Sequence, residues 1–152
     1  MFSTIIKNST DACSKSFKLG EFFTKCPDYL PDNHLLDSRL ISAAQIIRDF
    51  TDNPVYITSS FRTPRCNSRF GGAVNSYHLT GRAIDFTCQG YNLEIQRAIL
   101  SKGNLYKSLR NLSINGFGFA RNFIHIDVRA TGSLYDPAFA LGYDVWYYDS
   151  SR

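Results

Sequence analysis

Gly116-Phe117-Gly118-Phe119-Ala120 and Phe123-Ile124-His125-Ile126-Asp127-Val128-Arg129 alternate with the period of two that marks β-strands. They predict two antiparallel strands joined at Arg121-Asn122. In the second, Ile124, Ile126 and Val128 take one face and anchor the strand to a core, while His125 and Asp127 share the other. An imidazole and a carboxylate side by side face either solvent or a site. For an isolated His-x-Asp pair, a surface hydrogen bond is the plainer reading.

Outward from this pair, Ala83 to Cys88 and Val55-Tyr56-Ile57-Thr58-Ser59-Ser60 read as further strands, the latter rich in β-branched residues. Leu36, Leu40, Ile41, Ala43, Ala44, Ile47 and Phe50 recur at helical spacing, with Asp37 or Ser38 able to cap the start and Asn53-Pro54 closing it. Leu93 to Leu109 is helical in pattern and is divided at Gly103-Asn104. Phe61 to Gly72 is a loop with one helical turn, and Phe17 to Phe23 a short turn packing on the core. Tyr143 to Tyr148 is an edge strand or a packed extension. Residues 1–15 are polar and irregular and predict a loose arm before a single domain over 16–152. The class is α+β, with a small, mostly antiparallel sheet flanked by helices.

The 152 residues are 43% hydrophobic and 20% charged, ordinary values that exclude disorder and collagen-like repetition. A formal charge of +4 is spread over scattered basic residues with no run of five. A nucleic-acid stripe is therefore not expected. No segment approaches the roughly 18 apolar residues of a membrane span, and no secretory signal is apparent at Met1 to Asn8. Cys13, Cys26, Cys66 and Cys88 have no framework spacing. Disulfides in an oxidising compartment are one reading, free thiols in a reducing one the preferred reading.

Ser76-Tyr77-His78-Leu79-Thr80-Gly81-Arg82-Ala83-Ile84-Asp85 adds a second histidine and a second carboxylate. Asp85 sits between apolar neighbours, and a buried carboxylate needs a cation or a donor. Gly81 lets the chain turn between His78 and the strand that holds Asp85, and Ser76 can hydrogen-bond within that turn. Two His and one Asp suit zinc and leave one tetrahedral position open, the arrangement of a catalytic ion. By spacing alone, a structural histidine and a surface pair remain alternatives. His34, after Pro31-Asp32-Asn33, is expected to be exposed, and Cys88 to pack in the core. Trp146 with Tyr143, Tyr147 and Tyr148 is a packing cluster or a glycan-binding one.

Ser76-x-His78-x-x-Gly81-x-Ala83-x-Asp85, followed by Phe123-Ile124-His125-Ile126-Asp127-Val128-Arg129, resembles the M15 peptidase family. It most resembles the D-Ala-D-Ala carboxypeptidase and phage-endolysin branch, which cleaves peptidoglycan. Thr58-Ser59-Ser60-Phe61-Arg62-Thr63-Pro64 is similar to the family's "TSGYRSP" segment, and Asn67, Gly71-Gly72 and Phe17-x-Leu19-x-Glu21-Phe22 extend the likeness over about residues 16–130.

The resemblance implies a hedgehog/D-Ala-D-Ala-peptidase-like fold and one Zn²⁺ held by His78, Asp85 and His125. It implies Asp127 as the catalytic carboxylate, because Asn122 stands where some members place an acid three residues before the last ligand. Arg62 would face the substrate, with Ser76 and Tyr77, the latter standing where Gln is common, at the rim. The implied substrate is a peptidoglycan stem peptide or cross-link, cut by a monomer. The missing signal, the lack of a recognisable second module and the free-thiol reading of the cysteines add the expectation that this monomer is made in the cytoplasm and acts at the bacterial wall, as a phage-type lysis enzyme does. The competing expectation is a non-catalytic zinc-binding recognition module on the same scaffold.

Overall fold

In the computed structural model, which describes residues 1–23, 26, 31–130 and 145–148, the chain begins with a strand and not with a loose arm. Strand β1 (Phe2–Ile6) pairs antiparallel with β2 (Asn33–Asp37). The register supplies the reason: Ile5 lies opposite His34, and both are buried. Ile5 is the one buried residue of β1, and it anchors a strand whose other side chains are exposed or half-exposed. His34 thus departs from the expected exposure, lying against the rings of Phe23 and Phe61 at 5.6 and 5.3 Å. Burial holds its pKa below the ordinary value.

Asp37 ends β2 and caps helix α1 (Ser38–Thr51), its carboxylate accepting the Arg39 backbone N–H at 3.1 Å. A 3-10 turn over Leu19–Phe22 buries Phe22 against the core. After α1 come strand β3 (Tyr56–Ser59) and helix α2 (Pro64–Arg69). Thr63 caps α2, and Pro64 occupies its first turn, where no N–H is needed. A 3-10 turn at Tyr77–Thr80 leads into β4 (Ala83–Thr87). The predicted long helix is divided into α3 (Asn92–Leu100) and α4 (Asn104–Asn111), as expected at Gly103. Strands β5 (Gly116–Phe119), β6 (Ile124–Asp127) and β7 (Val145–Tyr147) follow. Tyr143 lies outside the described residues.

The main sheet has the order β3-β4-β6-β5-β7, antiparallel except for the β5–β7 pair. This is the α+β, mostly antiparallel architecture expected. One face carries Ile84, Phe86, Phe117, Phe119, Ile124 and Ile126 into a core shared with Leu40, Ala44 and Ile47 of α1, Ile95 and Ile99 of α3 and Leu109 of α4. Alternation then hands the opposite face to Asp85, His125, Asp127, Gly116 and Gly118. No helix among the described residues is long and apolar enough to cross a membrane.

Cys26 and Cys66 form a disulfide, while Cys13 and Cys88 are thiols. The preferred reading of four free thiols is thereby corrected: forty residues separate the pair in sequence, so only the fold brings them together. Buried Cys88 packs in the core as expected. Closing a loop of that length stabilises by on the order of 4 kcal/mol through the unfolded chain. Replacing both cysteines with serine is expected to lower the urea midpoint and to steepen the slope, because the released unfolded chain exposes more surface. An unchanged midpoint would show that the bridge adds nothing.

Candidate metal centre

The site is built on one rung of the sheet. Ser59 is registered with Asp85, Asp85 with His125, His125 with Gly118, and Gly118 with Trp146, across all five strands. An irregularity between Ile57 and Ser59 shifts β3 by one residue and brings Ser59, not Thr58, opposite Asp85. His78 enters from outside the sheet on the 3-10 turn, whose start Ser76 caps by accepting the His78 N–H at 3.3 Å. Gly81 ends that turn in the left-handed region, at φ 67°. A Cβ there would overlap the Leu35 carbonyl oxygen, so the turn that aims His78 at Asp85 requires glycine.

His78, Asp85 and His125 meet. Their candidate ligand atoms lie within 4.8 Å of one another, with His78 Nε2 at 3.1 Å and His125 Nδ1 at 2.8 Å from Asp85 Oδ1. These separations approach the ~3.3 Å edge of a tetrahedron with bonds of about 2 Å. Each residue's remaining atom is fixed from behind. His78 Nδ1–H donates to the Ser60 carbonyl at 2.6 Å, which leaves the Nε2 lone pair for a metal. Asp85 Oδ2 accepts from Arg62 Nη2 at 3.0 Å, and His125 Nε2–H donates to Asp127 Oδ2 at 2.8 Å. Supporting partners of this kind set the tautomer and ring orientation of metal ligands. The donor set fits zinc.

The electrostatics follow from these contacts. Burial opposes charge on Asp85, but His78 and His125 outweigh it and hold its carboxyl well below the usual range. Burial likewise opposes ionisation of Asp127, and Arg129 and His125 overcome it. Burial pushes His78 down and keeps it neutral. Burial acts in the same direction on His125, yet Asp127 and Asp85 on its two nitrogens raise it to about 9. In the metal-free protein His125 is therefore a buried cation between two carboxylates.

Two expected residues occupy other places than the sequence reading gave them. Asp127 stands behind His125, away from the ligand cluster. Its Oδ1 accepts from the backbone N–H and Nε of Arg129, and its Oδ2 from Arg129 Nη2 and His125. The alternation that put His125 and Asp127 on one face is correct, but it also sets them side by side, so Asp127 meets the far nitrogen of the ring. Arg62 is buried, donating through Nε to Ser59 Oγ at 2.9 Å as well as to Asp85, with Phe70 5.0 Å away over its guanidinium. It is turned toward a ligand, not outward. Ser76 and Tyr77 are half-exposed at the edge, and the Tyr77 ring lies 5.0 Å from the Arg129 guanidinium.

The sequence reading gave Arg129, Gly116 and Gly118 no role, and Trp146 only a place in a packing or glycan-binding cluster. Arg129 was detectable, since it continues the period of His125 and Asp127. The glycines follow from the register alone. A Cβ on Gly116 would overlap Asp127 Oδ1 and approach Arg129 Nε to 2.5 Å. Gly116→Ala is expected to cost about 1–3 kcal/mol as an overpacked substitution and to weaken zinc binding by displacing Asp127. Denaturant unfolding and a zinc titration would check this; wild-type values in both would mean that the space is not needed.

Residues 23–127, more than half of the chain, match the family model Peptidase M15. The matched segment contains His78, Asp85, His125, Asp127 and Arg62 and ends before Arg129 and β7. Among curated proteins none matches the chain significantly.

Proposed function

The chain belongs to the M15 peptidase family, and we propose that it is a zinc-dependent peptidase cutting an amide bond in peptidoglycan stem peptides or cross-links. His78, Asp85 and His125 hold the ion in this reading. The observation that carries it is the full set of supporting contacts: Ser60 behind His78, Arg62 behind Asp85 and Asp127 behind His125. A surface His–Asp pair has no use for three buried groups that each leave one ligand atom aimed at a common point.

Zinc bound there supplies Lewis acidity toward a scissile carbonyl and lowers the pKa of water. The chain's own residues prepare that chemistry. Ser60 fixes the tautomer of His78. Arg62 occupies one oxygen of Asp85 and leaves the other as a single-atom ligand. Asp127, braced by Arg129, orients His125 and raises its basicity. Asp127 and Arg62 thus act as positioning residues, in place of the catalytic carboxylate and the substrate-facing arginine that the resemblance implies. Ser76 and Tyr77 form the half-exposed rim where substrate enters. The Cys26–Cys66 disulfide suits an oxidising compartment, in keeping with work at the bacterial wall after synthesis elsewhere.

One observation favours a second reading, a zinc-binding recognition module. Both Asp127 oxygens are taken, and Asn122 occupies the alternative acid position. Mass spectrometry of peptidoglycan digested by the zinc-loaded protein, beside a chelated control, separates the two. Zinc-dependent muropeptides are expected, and their masses name the bond. Stoichiometric zinc with no products from several wall types would favour the module.

A further inference from the structure

We propose that Trp146 is a substrate-contacting wall of this site, against which an uncharged stretch of the bound peptide lies; the proposal rests on the peptidase reading above. Trp146 comes from β7, at the far edge of the sheet, yet its ring lies 5.3 Å from that of His125. Gly118, the residue between them on the rung, makes this possible. A Cβ there would come to 2.8 Å from Cε2 and Nε1 of the indole, so a side chain at 118 would push the ring off β5 and away from the ligand. The indole also stacks on Arg129, whose guanidinium carbon is 4.5 Å from the ring centroid.

The surface continues outward from the metal ligand. Tyr148, two residues on, shares the face and lies 6.3 Å from Trp146, and Phe123 lies 5.3 Å beyond it. Trp146, Tyr148 and Phe123 are all half-buried. Among the described residues the cation stacked on this row is Arg129, and Asp127 matches its charge. A neutral, largely apolar wall suits the uncharged portion of a peptide, where ring faces meet methyl and backbone groups. Arg129, Trp146 and Tyr148 fall outside the family-matched residues 23–127, and Phe123, Gly118 and His125 fall within them.

Trp146 is the chain's single tryptophan, and its emission therefore reports on the wall directly. Zinc-loaded protein is titrated with a soluble cross-linked muropeptide dimer carrying pentapeptide stems. A saturable change in emission is expected, with a midpoint matching KM. Trp146→Ala should raise KM about tenfold, the loss of a well-packed aromatic contact, while kcat and zinc stoichiometry stay near wild type. Trp146→Phe should recover most of the loss. Emission that stays fixed while the dimer is hydrolysed would overturn the proposal. So would loss of zinc from Trp146→Ala, which would make the ring a brace for His125, or a response to stem-free glycan strands in place of the peptide. If zinc-loaded wild type does not cleave the dimer at all, the peptidase reading itself fails and this inference falls with it.

Discussion

Alanine at His125 is expected to abolish zinc binding and to destabilise the metal-free protein far more than alanine at His78, although both remove a ligand. The difference lies in what each imidazole does without metal. His125, with its pKa raised to about 9, is a cation at neutral pH held between Asp85 and Asp127, both buried. Its removal takes a partner from two buried carboxylates at once, the situation in which breaking an ion pair costs about 3–5 kcal/mol. His78 is neutral, and its loss leaves the Ser60 carbonyl without that donor, a defect of about 1–3 kcal/mol. Asp85 in that variant keeps Arg62 and His125. Chemical denaturation in chelator, with metal content measured on the same samples, tests both halves. Equal destabilisation by the two variants would contradict the charged bridge, and retention of zinc by His125→Ala would remove His125 from the ligand set.

The candidate cluster of His78, Asp85 and His125 was legible in the sequence because the signals that place its members are local. A period of two fixed the face shared by His125 and Asp127, and Gly81 marked the turn behind His78. What stayed hidden depends on pairing between distant strands. The one-residue shift in β3 that brings Ser59 opposite Asp85, and the glycines of β5 that admit Arg129 and Trp146, have no meaning until the register is known. The same blindness explains β1, whose one buried residue, Ile5, finds its place only through pairing with β2, and the Cys26–Cys66 bridge. It also explains the role first given to Asp127. Sequence placed its carboxylate next to His125 correctly, but which side of the imidazole faces a metal is set by Asp85, on another strand.

Asp127→Asn is expected to change the pH dependence of zinc binding, and that sets a positioning role apart from a base. In the wild type, an ion reaching His125 Nδ1 must displace the proton that Asp85 holds there, on a ring whose basicity Asp127 raises through Nε2. Apparent zinc affinity should therefore rise about tenfold per pH unit and level off above the His125 value of about 9. The same proton governs the metal-free fold. Because the folded pKa exceeds the ordinary 6.5, its stabilisation is complete below about that pH and is lost as pH rises through about 9. Asp85 and Asp127 act oppositely, their contributions present above the ordinary 3.8 and lost as pH falls below it. Asparagine at 127 removes one of the two carboxylates that favour the proton, so the plateau should begin at lower pH. It also removes the charge that makes His125 a strong ligand, which costs about 10–100-fold in affinity on the plateau. The two effects oppose each other near neutrality, where the variant has less proton to displace. The gap between variant and wild type should thus be widest above pH 9 and narrow toward pH 7. A direct base predicts something else: zinc affinity unaltered at every pH, with turnover alone lost. Isothermal titration of zinc at several pH values decides between them, because it reads the metal site before any substrate is added.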